Sequence, residues 1–212
     1  MPISNLRTEY QRGELSEATA AHDPVEQFAR WFDEARAAGV REVNAMSLAT
    51  ASPRGRPCVR IVLLKEFDAS GFVFYTNYES RKGRELRDNP VACALFFWSE
   101  LERQVRIEGT VSRVAPQESD RYFAQRPLEA RLGAWASPQS EPIADRSELE
   151  ARMDHVRARF AQQPEPPRPP HWGGYRIAPA QIEFWQGRAS RLHDRLLYAR
   201  EAGGWRRTRL AP

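Results

Sequence analysis

The sequence predicts a mostly antiparallel β barrel with helical additions. Three observations carry this. Short strand-like runs cluster in the centre, at 45–50, 57–66, 71–76, 91–98 and 104–114, and return near the end at 174–178, 182–186, 191–200 and 205–210. They are bounded by turn formers such as Ser52-Pro53-Arg54-Gly55 and Asp68-Ala69-Ser70-Gly71, and they do not alternate with helices as parallel βαβ units do. The last two runs are joined by Glu201-Ala202-Gly203-Gly204, a hairpin signal.

Taken in order, residues 1–22 are polar and without periodicity, and read as a flexible arm ahead of one domain over 23–212. A helix opens at Asp23, which can cap it. Pro24 suits the first helical position, and Val25, Phe28, Phe32 and Ala35 recur at helical spacing until Gly39. A short helix over 80–88 is stopped by Asn89-Pro90. Three helical pieces follow the central strands, at 116–124, 128–136 and 147–163, the last with Ser147 and Glu150 in a capping-box pattern. The proline-rich 164–170 reads as a stiff connector.

Composition narrows the function. The 212 residues are 41% hydrophobic and 28% charged, an ordinary globular balance. No apolar run is long enough to span a bilayer, and the start lacks the apolar core of a signal peptide, so a cytoplasmic protein is expected. Cys58 and Cys93 lie in apolar runs and read as buried free thiols. The four histidines are dispersed, so no metal site is expected, and the net charge of +4 is spread without the basic block a nucleic-acid binder carries. P-loop, dinucleotide, nucleophile-elbow and zincin motifs are absent. Of 32 basic residues only Lys65 and Lys82 are lysine. Where arginine has replaced nearly every lysine, the two survivors mark places where a compact ammonium is needed, or chance survival.

Several segments look built for anions. Ser80-Arg81-Lys82-Gly83 places two cations in a first helical turn, against the helix dipole, which makes sense if an anion sits there. Tyr75 and Thr76, just upstream, add hydroxyls; a solvated basic turn is the plainer reading. In Arg60-Ile61-Val62-Leu63-Leu64-Lys65, strict alternation sends Arg60 and Lys65 to opposite faces, so they share a ligand only if the strand twists or bulges or the ligand lies along it. If 191–195 is a strand, Arg191, His193 and Arg195 share one face and repel unless an anion meets them, while Leu192 faces away. Tyr122 and Arg126 stand at i and i+4 and grip a second anion if their helix persists that far. Gln139 and Ser140, in a Pro-flanked loop, suit hydrogen bonding to a heterocycle. Anion cradles without a nucleophile suggest that a phosphorylated cofactor does the chemistry.

These residues resemble the pyridoxine/pyridoxamine 5′-phosphate oxidase family. The likeness runs in order through LRTEYQRGEL, RIVLLK, FYTNYESRKGREL, RQVRIEG, YFAQRP, GAWAS, PQS, WGGYR, EFWQG, RLHDR and the terminal RLAP. It implies a split β-barrel homodimer with FMN at the subunit interface. The chemistry implied is oxidation of pyridoxine 5′-phosphate and pyridoxamine 5′-phosphate by O2 to pyridoxal 5′-phosphate, with hydrogen peroxide released, and ammonia from the amine. By resemblance FMN is held by Arg60, Ile61, Val62, Leu63, Leu64, Lys65, Tyr75, Thr76, Arg81, Lys82, Gln104, Gln139, Ser140, Trp185 and Arg195. The substrate phosphate falls to Lys65, Tyr122 and Arg126; Arg191 and His193, the catalytic pair, take the pyridine side with Leu192 between them. Arg7 and Tyr10 sit in the arm that closes over the site. One departure is Ala130, where the family has a serine on the substrate phosphate; losing one such hydrogen bond costs about 0.5–1.5 kcal/mol. Two other readings are a related oxidase of another heterocycle, of phenazine type, and a non-catalytic flavin- or pyridoxal-phosphate-binding protein.

Overall fold

The structure is a computed structural model that describes residues 3–5, 9–163 and 165–212. Helix α1, Pro24–Ala37, begins as expected: the Asp23 carboxylate accepts the amides of Val25 and Glu26, and Gly39 at φ 71° ends the run. Its apolar stripe, Phe28, Trp31 and Ala35, faces a curled sheet. That sheet contains β1 (Ala45–Ala51), β2 (Pro57–Leu63), β3 (Glu66–Asp68), β4 (Gly71–Asn77), β5 (Val91–Trp98), β6 (Arg103–Arg113), β7 (Trp172–Gln186), β8 (Asp194–Glu201) and β9 (Gly204–Arg209). Helices α2 (Arg81–Asp88), α3 (Pro116–Ala124), α4 (Leu128–Ala136) and α5 (Arg146–Arg159) decorate it.

The strand order is β2-β1-β5-β6-β7-β4-β3, with β8 added to β7 and β9 to β8, and every pairing is antiparallel. The fold is therefore the expected half-barrel. Alternate residues of β1 and β5 point inward, where Leu48, Ala94 and Phe96 meet Phe28, Phe72, Phe74 and Phe184 at full burial. Each such phenylalanine contributes about 1.5–3 kcal/mol through burial.

Several boundaries differ from the expectation. The run 174–186 is not two strands but one, β7. Its first part pairs with β4 and its second with β8, so it is shared by both ends of the sheet. Pro179 is tolerated within it because it sits opposite Gly109, where the β6–β7 register already shifts. A Cβ at Gly109 would come 2.1 Å from the Ala178 carbonyl oxygen, so the irregularity needs glycine there. The expected strand 57–66 breaks after Leu63. The expected strand 191–200 starts only at Asp194, because Ser190 and Arg191 adopt φ 56° and 61° in a 3-10 turn. Helix α5 is capped by Asp145, which accepts the Glu148 amide, rather than by Ser147.

Residues 9–22 contain no helix or strand, but 11–21 are not a free arm. Leu15, Ala20 and Ala21 are buried, and backbone groups are held from the body. Arg207 donates to Ala20 O (3.0 Å) and Glu17 O (2.7 Å), Arg209 to Leu15 O (3.1 Å), and the Tyr198 hydroxyl to Ala21 O (2.7 Å). This segment follows the contour of β8 and β9 through side chains donated by them, so its own sequence shows no periodicity. Cys58 and Cys93 are free thiols, half-buried rather than buried. Among the described residues no helix is long and apolar enough to cross a membrane.

Candidate functional site

The turn between β4 and α2 sets up the main cleft. Asn77 Oδ1 accepts the Glu79 amide, Ser80 donates to Asn77 O (2.7 Å), and Ser80 Oγ caps α2 by accepting the Gly83 amide. Gly83 passes so near the turn that a Cβ would lie 2.1 Å from the Tyr78 carbonyl oxygen. With the helix start fixed in this way, Arg81 and Lys82 project into a cleft of about 880 Å³. The cleft is lined by Arg60, Ile61, Val62, Leu63 and Lys65, by Tyr75 and Thr76, by Tyr122 and Arg126, and by Gln139 and Ser140. Arg60 and Lys65 keep opposite sides of the strand, half-buried and exposed, yet both line the cleft because it runs along the strand, touching every residue from Cys58 to Leu63. Both lysines of the chain line it.

The cations are not equivalent. Glu85, buried, receives Arg60 Nη2 (3.3 Å) and Arg81 Nε (2.9 Å). Burial pushes the Glu85 pKa up, but bonds from Thr50, Arg81 and Arg60 outweigh it and hold the carboxylate below its ordinary range. Lys82 is 8% exposed, and among the described residues its ammonium meets only neutral oxygens: Thr76 Oγ1 and Gln139 Oε1 at 3.1 Å each, and Ser80 Oγ at 3.3 Å. Desolvation, with the nearby Arg60 charge, pulls its pKa down to about 8. A buried ammonium without a counter-ion, at a helix start with hydroxyl donors, fits a phosphate. Arg126 makes a second such place. It lies beyond the end of α3, not within it. Its guanidinium lies over Trp172 (4.5 Å), Tyr122 stacks on Tyr75 (4.0 Å), and Arg126 Nη1 is buried with no hydrogen-bond partner among the described residues. The WGGYR motif supplies Trp172, a platform that residue-by-residue reading passed over.

The remaining candidates lie elsewhere. Leu64 packs into the core, because it continues the inward series Cys58, Arg60 and Val62 of β2. Gln104, Trp185 and Arg195 are neighbours across β6, β7 and β8, on a stretch of sheet outside the cleft lining. Trp185 packs on His193 (4.5 Å) and Tyr10 (5.8 Å). Arg191, His193 and Arg195 do not form one strand face: Arg191 is in the positive-φ turn, His193 precedes β8, and Arg195 already has its anion in Glu183 (2.7 Å). His193 Nδ1 accepts the Arg188 amide (3.1 Å), so the neutral ring carries its proton on Nε2. Burial and the Arg191 charge both push its pKa down. Leu192 is exposed. Arg7 lies outside the described residues.

The resemblance assigns Lys82 to the FMN phosphate, and that assignment predicts a pH dependence. With its pKa pulled down to about 8, the ligand-free protein carries the full cost of the buried charge below pH 8 and sheds it as pH rises toward the ordinary lysine value. A bound phosphate favours the charged form, so the ratio of FMN to riboflavin affinity should fall as pH rises above 8. Fluorescence titrations of both flavins from pH 7 to 9.5 check this; a flat ratio removes Lys82 from the phosphate site.

Comparison with known proteins agrees with the geometry. The solved structure of PhzG from Burkholderia lata, in complex with tetrahydrophenazine-1-carboxylic acid, superposes with a TM-score of 0.87 at 34% identity, covering 93% of this chain and 98% of that one. A pyridoxamine 5′-phosphate oxidase-related, FMN-binding protein of Nostoc punctiforme shares the fold at 19% identity, with a TM-score of 0.72 over 91% of this chain and 100% of that one. Fold and cleft thus define a split barrel of this type. Residues 32–160 match the pyridoxamine 5′-phosphate oxidase family, and 172–212 match the pyridoxine 5′-phosphate oxidase C-terminal dimerisation region. Pyridoxine/pyridoxamine 5′-phosphate oxidases of Rubrobacter xylanophilus and Bordetella petrii are 60% and 58% identical, over 99% and 100% of this chain and 96% and 100% of their own. The chain belongs to the pyridoxine/pyridoxamine 5′-phosphate oxidase family.

Proposed function

We propose that the protein is a homodimer that oxidises pyridoxine 5′-phosphate and pyridoxamine 5′-phosphate with O2. Pyridoxal 5′-phosphate and hydrogen peroxide are the products, and the amine consumes one water and releases ammonia. The observation that carries this reading is one cleft that holds two buried cationic groups without a carboxylate partner among the described residues, the Lys82 ammonium and Arg126 Nη1. One anion grip serves the phosphate of a cofactor and the other the phosphate of a substrate. When bound, FMN supplies the hydride acceptor for the substrate's 4′ carbon and the route of the electrons to O2.

The chain's own residues do the rest. Lys82, Thr76, Gln139 and Ser140 bind FMN, with Arg60 and Arg81 fixed beside them by Glu85. Lys65, Tyr122 and Arg126 hold the substrate phosphate, with Ala130 offering no hydroxyl in that wall. Arg191 and His193, with Tyr10, present the pyridine ring; His193 holds its proton at Nε2 and donates from there. Since these three residues are not in the cleft lining, each site takes its cleft from one protomer and the Trp185–His193 cluster from its partner. The match of 172–212, which contains this cluster, to a dimerisation region supports the arrangement.

Anaerobic addition of pyridoxine 5′-phosphate to the FMN-loaded protein should bleach the flavin band, and O2 should restore it. Bleaching by a reduced phenazine carboxylate but not by pyridoxine 5′-phosphate would replace this reading with the phenazine type; bleaching by neither would leave a binding protein. At an FMN concentration that loads the wild type but not Lys82→Ala, mixing Lys82→Ala and Arg191→Ala chains should raise activity above that of either alone, because each mixed dimer contains one intact site. No recovery after confirmed subunit exchange overturns the shared site.

A further inference from the structure

Glu102 is unusual in three respects. It follows the 3-10 turn Ser99–Leu101 with φ 56°, a conformation that favours glycine. Its side chain is 7% exposed, yet no arginine, lysine or histidine pairs with it among the described residues. Instead Glu102 Oε2 accepts two backbone amides from the N-terminal segment, Gln11 N (2.9 Å) and Arg12 N (3.0 Å). A buried carboxylate without a cation is costly, and these two bonds are what offset it.

The same residue also reaches the opposite way. Its carbonyl oxygen accepts the Gly187 amide (2.8 Å) and Gln186 Nε2 (3.3 Å), the residues that follow Trp185. Glu102 therefore ties together two segments that share nothing in sequence. One carries Tyr10; the other carries Trp185 and leads to His193. Tyr10 packs against both rings, 5.8 Å from Trp185 and 5.9 Å from His193, and a Cβ at Gly187 would come 2.7 Å from Tyr10 Cγ. This close fit exists only while residues 10–12 are held at one height over the turn.

We propose that Glu102 is a positioning residue: a latch that fixes the N-terminal segment so that Tyr10 stands against Trp185 and His193, completing the substrate side of the site. The role of that side rests on the function proposed above; the latch itself is a property of the chain. The positive φ is then the cost of aiming one carboxylate at two amides.

The test compares Glu102→Gly and Glu102→Ala in the FMN-loaded protein. Both remove the carboxylate, but only glycine relieves the backbone, so the Gly variant should be the more heat-stable of the two. Both should lose hydrogen-exchange protection at Gln11 and Arg12 alike. Losing bonds to a charged group of this kind should raise KM for pyridoxine 5′-phosphate about 10-fold or more, with kcat little changed and FMN affinity unaffected. Retained amide protection overturns the latch. Lost protection with unchanged KM overturns the positioning role. If protection and KM track melting temperature, so that the Gly variant keeps both, Glu102 is merely structural. If the wild-type protein does not turn over this substrate, the function proposed above fails, and amide exchange still decides the latch.

Discussion

Lys82→Ala should lower FMN affinity by about 10- to 100-fold, the effect of deleting a charge-assisted hydrogen bond to a phosphate, while riboflavin affinity changes little. The reasoning starts from what Lys82 lacks. Its three partners are neutral oxygens, and burial already pulls its pKa down to about 8. A group in that condition destabilises the ligand-free protein, so its removal should not lower the melting temperature. Lys82→Met, which keeps most of the volume, sharpens this expectation: a protein at least as heat-stable as the wild type, with weak FMN binding. Arg81→Ala should weaken FMN less, because Arg81 is exposed and already engaged by Glu85. Equal loss of FMN and riboflavin on changing Lys82 would mean that the side chain supports the cleft and does not bind a phosphate.

The fold was legible because its determinants are local. Alternation in β1 and β5, Asp23-Pro24 before α1 and Gly203-Gly204 before β9 each act over a few residues, and the elements formed where these signals stand. The errors lie where distant partners decide. Pro179 reads as a strand end until Gly109 is placed opposite it. Residues 11–21 read as free because the donors that hold them, Arg207, Arg209 and Tyr198, come from the other end of the chain.

The site shows the same division. The anion cradle at Ser80–Lys82 was readable from a helix start carrying the wrong charge for its dipole, and the two surviving lysines pointed to the same place. Glu85 could have been suspected from its i+4 spacing to Arg81, which puts an acid on the same helix face. Its second partner, Arg60, depends on how β1, β2 and α2 pack. Alternation misplaced Arg191 because nothing in Ala189-Ser190-Arg191 announces two successive residues at positive φ. Glycine is the usual signal for that conformation, and none is present at these positions.

That misplacement sharpens the expectation for Arg191. On a strand it would share its environment with Arg195, whose guanidinium is occupied by Glu183. On the turn its guanidinium is exposed, beside a histidine whose Nδ1 is already taken by the Arg188 amide. Arg191→Ala should therefore keep FMN and stay yellow, while flavin reduction by pyridoxine 5′-phosphate slows by about 100- to 1,000-fold, the range for deleting one charge-stabilising donor from an active site. If the guanidinium acts mainly as charge develops on the substrate, kcat and kcat/KM fall together; a rise in KM alone would mark it as a binding group. Arg191→Gly separates the side chain from the strained backbone: it relaxes the turn, and recovery of activity in that variant would locate the defect in the turn. Arg191→Lys keeps the charge but not the planar fork, and should recover only part of the rate. His193→Ala should cost less, since it removes a neutral donor. Arg195→Ala is the control on the neighbouring strand: the resemblance assigns Arg195 to FMN, so this variant should release the cofactor, while Glu183 keeps Arg106. Wild-type reduction rates in Arg191→Ala, or a colourless Arg191→Ala beside a yellow Arg195→Ala, would reverse the two assignments.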